Sequence, residues 1–435
     1  MTHFGIISPP VPGHLNPFSV LGRELQRRGH RVTVFHMPDL EARVLGEGLD
    51  FVAIGETDHP VGSLPNSLAA LGRRKGLSAL RFTIEAVAKT SQMFVRDLPG
   101  ALRAHRVDAL LVDQMEPAGG TVAEYLGMPF VTICNALAIN RDPIAPPPFT
   151  PWAYRDTPWA RIRNRVGYAI SDRLTRPIAS VVSDARRLWG LRPHDTPDES
   201  FSTLAQISQM PKAFDFPRRN LPDSFHYVGP IRGASSKPVP FPWERLDGRP
   251  LVYASLGTLQ NNREATFRCF ADACAGLNVQ LVMSHGGGLT SEQAASLGNR
   301  ALVVPYAPQT DLLARCALTL THAGLNTVLD SLAHGVPLVA IPITYEQPAI
   351  ARRLEYVDAG IVVPFRLATP EKVRRAVEAV LGSPRIVAAA GRMKAQIDAA
   401  GGNTRAVDII EQALRLDVRA GRTRSPQLKV SEIQE

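Results

Sequence analysis

The sequence predicts an α/β protein of two domains, each with a parallel sheet that carries helices on both faces. The chain of 435 residues is too long for one compact core and suits two. Short apolar, β-prone runs alternate with helical patterns along most of its length, as parallel strands and crossover helices require. This alternation pauses at a proline- and serine-containing stretch, residues 232–249, which we interpret as a linker, and then begins again.

The first half of the chain, residues 1–231, begins with a strand over 4–8 and has its second strand at 31–35. Between them, Asn16 is predicted to cap a helix whose first residue is Pro17, because those residue types are favoured at those positions. The remaining elements are a helix over 77–98, a strand over 108–112, a helix over 121–125 and a strand over 130–134. Their order predicts a doubly wound parallel sheet.

The second half, residues 250–400, repeats this alternation. Its predicted strands cover 251–254, 280–282, 301–304 and 317–321, with a further apolar run over 337–342. One helix is expected to begin near Leu325 and to stop at Gly335, and helices over 385–399 and 404–416 follow. The tail over 417–435 is polar and lacks periodicity, so we expect it to be disordered.

The composition is that of an ordinary globular protein, with 45% hydrophobic and 20% charged residues. The N-terminus has no basic region ahead of its apolar run, and no stretch approaches the roughly eighteen apolar residues of a membrane span. The 4 cysteines form no Cys-x-x-Cys pair, and we interpret them as reduced core thiols. These features favour a cytoplasmic protein.

The formal net charge of +9 is concentrated in one segment. Residues 151–192 contain 9 arginines and 3 aspartates, 9 − 3 = +6, interleaved with tryptophan and tyrosine. The segment is either a solvated face with ordinary core aromatics or a contact with an anionic membrane surface, which would place the protein peripherally on the inner face of the membrane. No recognition motif accompanies the charge, so nucleic acid is not an expected partner.

The segment between strand 317–321 and the helix from Leu325 has the features of a phosphate-binding turn. Free backbone N–H groups at a helix start favour an anion, and Gly324 lets that anion approach the backbone. The side chains of His322, Asn326 and Thr327 add polar groups, and Asp330 follows one turn later, where a ribose carries its hydroxyls. The pattern predicts a nucleotide-sugar site; the alternative is a buried strand–turn–helix with a polar cap.

Polar residues on both sides of this turn complete the predicted donor site. Tyr306 can stack on a base, and Gln309 follows it before the turn. Glu346 and Gln347 follow the apolar run 337–342, at the sheet edge where open α/β sheets bind ligands. The turn that contains Ser255 and Thr258, after the strand over 251–254, is expected to face the donor phosphates.

A candidate acid–base pair lies in the first half. His14 follows the first strand and Asp113 ends the strand that begins at residue 108. In a doubly wound sheet these strands are neighbours at the topological switch point, which brings both side chains to one edge. A histidine can accept a hydroxyl proton at neutral pH, and a carboxylate can orient its ring. The alternative is that both are ordinary turn residues.

The segment from Tyr306 to Gln347 resembles the donor-binding signature of family-1, UDP-dependent glycosyltransferases. It differs from the commonest plant form at Tyr306 and Leu325, where tryptophan is usual, and at Asp330, where glutamate is usual. The resemblance implies two facing Rossmann-like domains (the GT-B type) with the active site in the cleft between them, and a C-terminal helix, 401–416, that crosses back to the first domain. It also implies that His14 is the catalytic base and Asp113 its supporting acid.

No Asp-x-Asp motif or metal-spaced cluster occurs, so we expect no metal and no cofactor apart from the donor substrate. His322, Asn326, Thr327 and backbone amides are expected to neutralise the diphosphate. The expected reaction is an inverting displacement in which His14 takes the acceptor proton.

Stretches such as 112–119, 204–209 and 254–260 resemble those bacterial members of the family that glucosylate zeaxanthin. This resemblance implies UDP-glucose as donor and a carotenoid diol as acceptor. Another apolar acceptor (a flavonoid, sterol or macrolide) is the main alternative. A catalytically silent lipid- or nucleotide-binding protein and a UDP-sugar epimerase are the others.

Overall fold

The structure is a computed structural model that describes residues 1–74, 76–233, 239–258 and 261–421. It contains two parallel sheets, one of seven strands and one of six. Each sheet is covered by helices on both faces, which confirms the predicted α/β architecture of two Rossmann-like domains. Within the described part of the chain, no helix is both long and apolar enough to cross a membrane.

The first sheet has the strand order β3-β2-β1-β4-β5-β6-β7. Its strands are β1 (His3–Ile7), β2 (Arg31–His36), β3 (Asp50–Ala53), β4 (Ala109–Asp113), β5 (Phe130–Cys134), β6 (Gln206–Ser208) and β7 (Phe225–Tyr227). The helices of this domain are α1 (Pro12–Arg27), α2 (Glu41–Gly46), α3 (Ser63–Gly72), α4 (Gly76–Ala104), α5 (Pro117–Tyr125), α6 (Pro158–Leu174) and α7 (Arg176–Leu188). The order of the sheet reverses between β1 and β4, which is its topological switch point.

The second sheet has the order β10-β9-β8-β11-β12-β13 and therefore the same winding, as the sequence predicted. Its strands are β8 (Leu251–Ser255), β9 (Gln280–Ser284), β10 (Leu302–Val304), β11 (Cys316–Thr321), β12 (Leu338–Ala340) and β13 (Gly360–Val362). Its helices are α8 (Glu264–Cys274), α9 (Ser291–Leu297), α10 (Gln309–Leu313), α11 (Leu325–Ala333), α12 (Gln347–Tyr356), α13 (Pro370–Leu381) and α14 (Pro384–Ala400). The order reverses between β8 and β11.

The last helix, α15 (Gly402–Gly421), returns to the first domain. Its apolar residues join the core of that domain beside Leu21 and Leu25 of α1. Arg28 adds ion pairs at 2.6 Å to Asp408 and 2.9 Å to Glu411. The predicted crossing is therefore present. The predicted tail was placed too early, because residues 417–421 belong to this helix; residues 422–435 lie outside the described residues.

The sequence-based start of α1 was wrong. The helix begins at Pro12, with Val11 as its N-cap, so Asn16 is not a cap and Pro17 lies inside the helix. Proline at the first helical position is favourable because its missing N–H would have no partner there. Pro12 and Pro17 are both candidates for the first helical position, and the structure has Pro12 there.

A buried ionic cluster connects the domains. Asp215 of the first domain accepts a hydrogen bond from Nε of Arg353 of α12 at 2.9 Å. Nη2 of Arg353 lies 2.8 Å from the same oxygen but makes no hydrogen bond to a described group. Arg218 and Tyr227 donate to the other oxygen at 2.7 Å and 2.8 Å. The guanidinium of Arg353 also covers the ring of Phe216 at 4.2 Å.

The four cysteines are unpaired: Cys134 and Cys274 are buried, and Cys269 and Cys316 are partly buried. Burial raises the pKa of the Cys274 thiol to about 12 and that of Cys316 to about 12. These thiols are therefore protonated at neutral pH, as the interpretation of reduced core thiols requires.

Candidate active site

The structure places His14 and Asp113 together at the switch point of the first sheet. His14 lies in the first turn of α1, just after β1, and Asp113 is the last residue of the neighbouring strand β4. Nδ1 of His14 lies 2.8 Å from Oδ2 of Asp113, which accepts its hydrogen bond. The second ring nitrogen, Nε2, has no partner among the described residues and is available to a ligand in the cleft.

The carboxylate of Asp113 is fixed from three sides. It is 1% exposed and also accepts hydrogen bonds from Nδ2 of Asn135 at 2.9 Å and from the backbone N–H of Met115 at 2.9 Å. Burial lowers the pKa of His14, but the charge and hydrogen bond of Asp113, with the charge of Glu346, outweigh it and raise the pKa above its ordinary value. The ring is therefore a stronger base than a free histidine.

The phosphate turn predicted from the sequence lies at the corresponding switch point of the second sheet. His322 follows β11, and its ring is enclosed by two glycines: a Cβ at Gly257 would lie 2.9 Å from Cε1, and one at Gly324 would lie 2.6 Å from Nε2. Ala323, between His322 and Gly324 in the sequence, has a left-handed φ of 65°, a strained conformation that concentrates at functional sites. The turn therefore depends on small residues at both glycine positions.

The chemistry of His322 follows from its burial. Burial lowers its pKa to about 4, although a hydrogen bond with the backbone of Ser255 opposes the shift. At neutral pH the ring is uncharged, so it offers a diphosphate a hydrogen-bonding nitrogen rather than a positive charge. Thr327, in the first turn of α11, is also buried.

The side chain of Asn326 is committed to the opposite domain. Its Nδ2 donates to the carbonyl of Gly13 at 3.1 Å, and its Oδ1 accepts from Gln209 at 3.1 Å. The Gly13 carbonyl is free because its helical partner four residues on is Pro17, which has no N–H to donate. The proline inside α1 thus provides an acceptor that joins the phosphate turn to the residue beside His14.

The carboxylate of Asp330 has a partner on each oxygen. Oδ2 accepts from Nε2 of Gln309 at 2.6 Å, and Oδ1 accepts from Nε of Arg232. Arg232 also donates to Gln209 at 2.9 Å and to Oδ1 of Asn326 at 3.1 Å. Sequence reasoning assigned Arg232 to the linker and missed this role, because no sequence pattern shows where a single linker arginine folds back.

The remaining donor-site predictions fall in the same region. Tyr306 is 56% exposed, and its hydroxyl donates to the carbonyl of Gly286 at 3.3 Å, which leaves its ring face open for stacking. Ser255 ends β8 and accepts from the N–H of Gly257 at 3.2 Å. Thr258 is exposed and borders the cleft.

Glu346 and Gln347 follow β12 and are held in different ways. Oε2 of Glu346 accepts from the backbone N–H of Leu137, in the first domain, at 3.0 Å. Burial raises the pKa of the Glu346 carboxyl, although the hydrogen bond from the Leu137 backbone and the charge of His14 act to lower it. Oε1 of Gln347 accepts from the N–H groups of Ile343 and Thr344 at 2.9 Å and 3.0 Å, so its NH₂ group remains for a ligand.

Sequence reasoning also missed Glu116, which lies three residues after Asp113, at the same sheet edge. Its side chain is 1% exposed, and Oε2 has no partner among the described residues. Burial, followed by the charge of Asp113, raises the pKa of Glu116 well above its usual value. This shift favours the protonated carboxylic acid, a form that has a hydrogen to donate.

The site described above is a single cleft of about 2370 Å³ between the domains. Every predicted site residue lines it except Asp113, which lies behind His14. The residues that the structure describes include no group of three His, Cys, Asp or Glu side chains arranged to hold a metal ion. The cleft is large enough for a nucleotide sugar and a long second substrate together.

Two facing Rossmann-like domains with a cleft between them place this protein in the class of GT-B folds. The structure of CalG4, the calicheamicin glycosyltransferase, is similar with a TM-score of 0.74 and 24% identity, over 98% of this chain and 100% of that one. The glycosyltransferase of kitacinnamycin is similar with a TM-score of 0.73 and 22% identity, over 95% and 99%. At these identities the likeness shows the fold.

The chain belongs to the family of UDP-glucoronosyl and UDP-glucosyl transferases, which matches residues 74–390. A zeaxanthin glucosyltransferase from Pantoea ananas is 36% identical over 95% of this chain and 96% of its own length. One from Pseudescherichia vulneris is 37% identical over 95% and 98%. The protein is therefore a UDP-glycosyltransferase, and the predicted family and enzyme class are confirmed.

Proposed function

We propose that this enzyme transfers glucose from UDP-glucose to the ring hydroxyls of zeaxanthin, forming the mono- and diglucoside with inversion and without a metal ion. The observation that carries the proposal is the His14–Asp113 pair, which faces the phosphate turn of α11 across one cleft. The zeaxanthin glucosyltransferases that match nearly the whole chain support the choice of donor and acceptor.

In the proposed reaction, Nε2 of His14 removes the proton of the acceptor hydroxyl. The acceptor oxygen attacks the anomeric carbon of glucose as the bond from that carbon to the UDP oxygen breaks, so the α-linked donor gives a β-glycoside and UDP. The buried carboxylate of Asp113 orients the ring and stabilises the imidazolium that forms. His14 returns the proton to solvent after product release.

The departing diphosphate is expected to bind at the N-terminus of α11, where free backbone N–H groups and the helix dipole favour an anion. His322 contributes a hydrogen bond, and Arg232 is a cation already held in this part of the cleft. The ribose hydroxyls are expected to bind Asp330, and the base is expected to stack on Tyr306. Glu346 and Gln347 are expected to bind the glucose hydroxyls.

The proposed acceptor dissolves in bilayers, so the proposed function includes an anionic membrane surface as a partner. The alternative acceptors are a flavonoid, a sterol or a macrolide, and the alternative to an active enzyme is a silent lipid- or nucleotide-binding protein. The His14–Asp113 pair favours an enzyme, because simple binding does not require an oriented base.

The deciding experiment is product analysis after incubation with UDP-glucose and zeaxanthin in liposomes, with and without EDTA. We expect zeaxanthin mono- and diglucosides with β-linkages, in equal yield with the chelator. If UDP-glucose is bound but zeaxanthin is not modified, the acceptor assignment is wrong. If neither ligand binds, both the donor and the acceptor assignments are wrong.

The pH dependence of kcat/KM tests the base. His14 must be neutral to accept a proton, so the rate is expected to fall as the pH drops through its raised pKa. In Asp113→Asn, the loss of the negative charge lowers that pKa and moves the acid limb to lower pH. The plateau rate should also fall, because the amide can donate to Nδ1 and favour the wrong tautomer. An acid limb that does not move in this variant would contradict the assignment.

The donor site is tested at Asp330. Asp330→Ala is expected to raise KM for UDP-glucose about 10- to 100-fold, because a hydrogen bond to a charged group contributes roughly 1.5–3 kcal/mol. The effect on kcat should be smaller. Steady-state kinetics at saturating acceptor would measure both constants. Glu371→Gln, on the exposed surface of α13, is a matched control for the loss of a carboxylate. Equal KM values for Asp330→Ala and this control would refute the assigned role.

A further inference from the structure

Helix α6 carries apolar residues on two opposite faces. One face is buried in the first domain through Ala160, Gly167 and Tyr168. The opposite face exposes a stripe of large apolar side chains, in which relative exposure is 74% for Trp159, 50% for Ile162, 53% for Val166 and 55% for Ile170. Their spacing of three or four residues aligns them along about three helical turns, or roughly 17 Å. An exposed apolar stripe of this length is unusual on a soluble surface.

Unpaired positive charge surrounds this stripe. The side chains of Arg155, Arg165, Arg173 and Arg176 are exposed, and none of them forms an ion pair with a residue that the structure describes. The nearby acidic residues are already engaged: Asp156 pairs with Arg161 at 2.6 Å, and Asp172 pairs with Arg141. The surface therefore has an uncompensated excess of positive charge beside its apolar residues.

The C-terminal end of α6 borders the cleft. Leu174, at the end of α6, and Arg176, at the start of α7, both line the cleft, and Leu174 is 45% exposed. Phe149, 47% exposed, also lines the cleft. The helix that carries the stripe therefore ends at the cleft.

We propose that this face, defined as Trp159, Ile162, Val166 and Ile170 with Arg155, Arg165, Arg173 and Arg176, docks on an anionic lipid bilayer. Apolar side chains beside arginines are the composition of helices that lie in the membrane interface. Each cation near an anionic leaflet contributes about fivefold to binding, which follows from roughly 1 kcal/mol per residue. A symmetric contact between two copies of this face would instead bring two sets of unpaired arginines together.

This inference deepens the proposed function by naming its membrane face, but vesicle binding is measured without either substrate, so the two can fail separately. The full-length protein would be sedimented with vesicles of phosphatidylcholine alone and with vesicles that also contain phosphatidylglycerol. We expect binding to the anionic vesicles that weakens with salt, and at least tenfold weaker binding to phosphatidylcholine alone.

Two sets of variants separate the apolar and the charged contributions. Ile162→Ser/Val166→Ser/Ile170→Ser and Arg165→Gln/Arg173→Gln are each expected to weaken anionic vesicle binding at least tenfold. The matched controls are Leu367→Ser/Val387→Ser and Arg375→Gln/Arg392→Gln, which change exposed apolar and unpaired basic residues on the second domain. Circular dichroism and binding of UDP would verify that each variant is folded.

Two results would overturn the proposal. One is vesicle binding by the α6 variants equal to that of their matched controls, or no binding by any form. The other is a stable dimer in sedimentation velocity that the apolar α6 variant converts to a monomer, because that result would assign the stripe to a second copy of the chain.

Discussion

Replacement of His14 by alanine is expected to lower kcat by about 10²- to 10⁴-fold, the usual contribution of a positioned general base. The KM for UDP-glucose should remain near the wild-type value, because the residues predicted to bind the donor lie on the second domain. Residual activity is expected from the positioning of the two substrates in the cleft, which does not depend on proton transfer. Steady-state product formation, followed for both proteins above the acid limb, would measure the loss.

His30→Ala is a matched control for this experiment. His30 also pairs with a carboxylate, at 3.0 Å to Glu411 of α15, but lies outside the cleft. It should retain wild-type kcat, with any effect confined to stability. The assignment of the base would be wrong if His14→Ala kept kcat within about threefold of wild type, which is far less than a general base contributes.

Replacement of Asp215 by asparagine is expected to lower the free energy of unfolding by about 3–5 kcal/mol, the cost of removing one partner from a buried ion pair. Asp215 is the acceptor shared by Arg218 and the fully buried Arg353. Burial acts to raise the pKa of Asp215, but the charges of the two arginines outweigh burial and lower that pKa to about 2. The carboxylate is therefore ionised at neutral pH. Its loss leaves two guanidinium groups buried without a counter-charge. Urea unfolding would measure the change.

The same cluster makes a graded prediction. Arg353→Met should cost less than Asp215→Asn, because Asp215 then keeps Arg218 at 2.7 Å. Asp156→Asn, which removes the partner of the surface residue Arg161, should change stability by less than about 1 kcal/mol. If Asp215→Asn were no more destabilising than Asp156→Asn, the cluster would not contribute to stability as the burial of its groups implies.

The sequence allowed prediction of those parts of the site that depend on chain order. A doubly wound sheet brings the ends of its first and fourth strands together whatever the side chains are, so the meeting of His14 with Asp113 followed from topology. The phosphate turn was equally local, because His322, Gly324 and the start of α11 lie within four residues of one another. The strands that the sequence predicted differ from those of the structure by at most two residues at each end, whereas β3, β6, β7 and β13 were not predicted.

What the sequence did not reveal depends on contacts between distant segments. The partners of Asn326 are Gly13 and Gln209, which lie more than one hundred residues away, as |i−j| is 313 and 117. The sequence analysis placed Pro17 at a helix start because of its local preference. Its effect in the structure is to leave the carbonyl of Gly13 free to accept a hydrogen bond from Asn326 of the other domain. Arg232 and Glu116 likewise gain their roles only from the three-dimensional neighbourhood, through a shared carboxylate and through burial.

The return of α15 to the first domain determines how this enzyme can be recombined with its relatives. The chain passes between the domains at two places that lie side by side. The N–H of Gly402 donates to the carbonyl of Val228 at 2.7 Å, and the backbone N–H of Arg232 donates to Oδ1 of Asn403 at 2.9 Å. The second domain is thus an insertion within the first domain. A chimera designed to exchange donor specificity should transplant an internal segment with both junctions near these contacts. A simple exchange of C-terminal halves would also replace α15, which is part of the first domain's core.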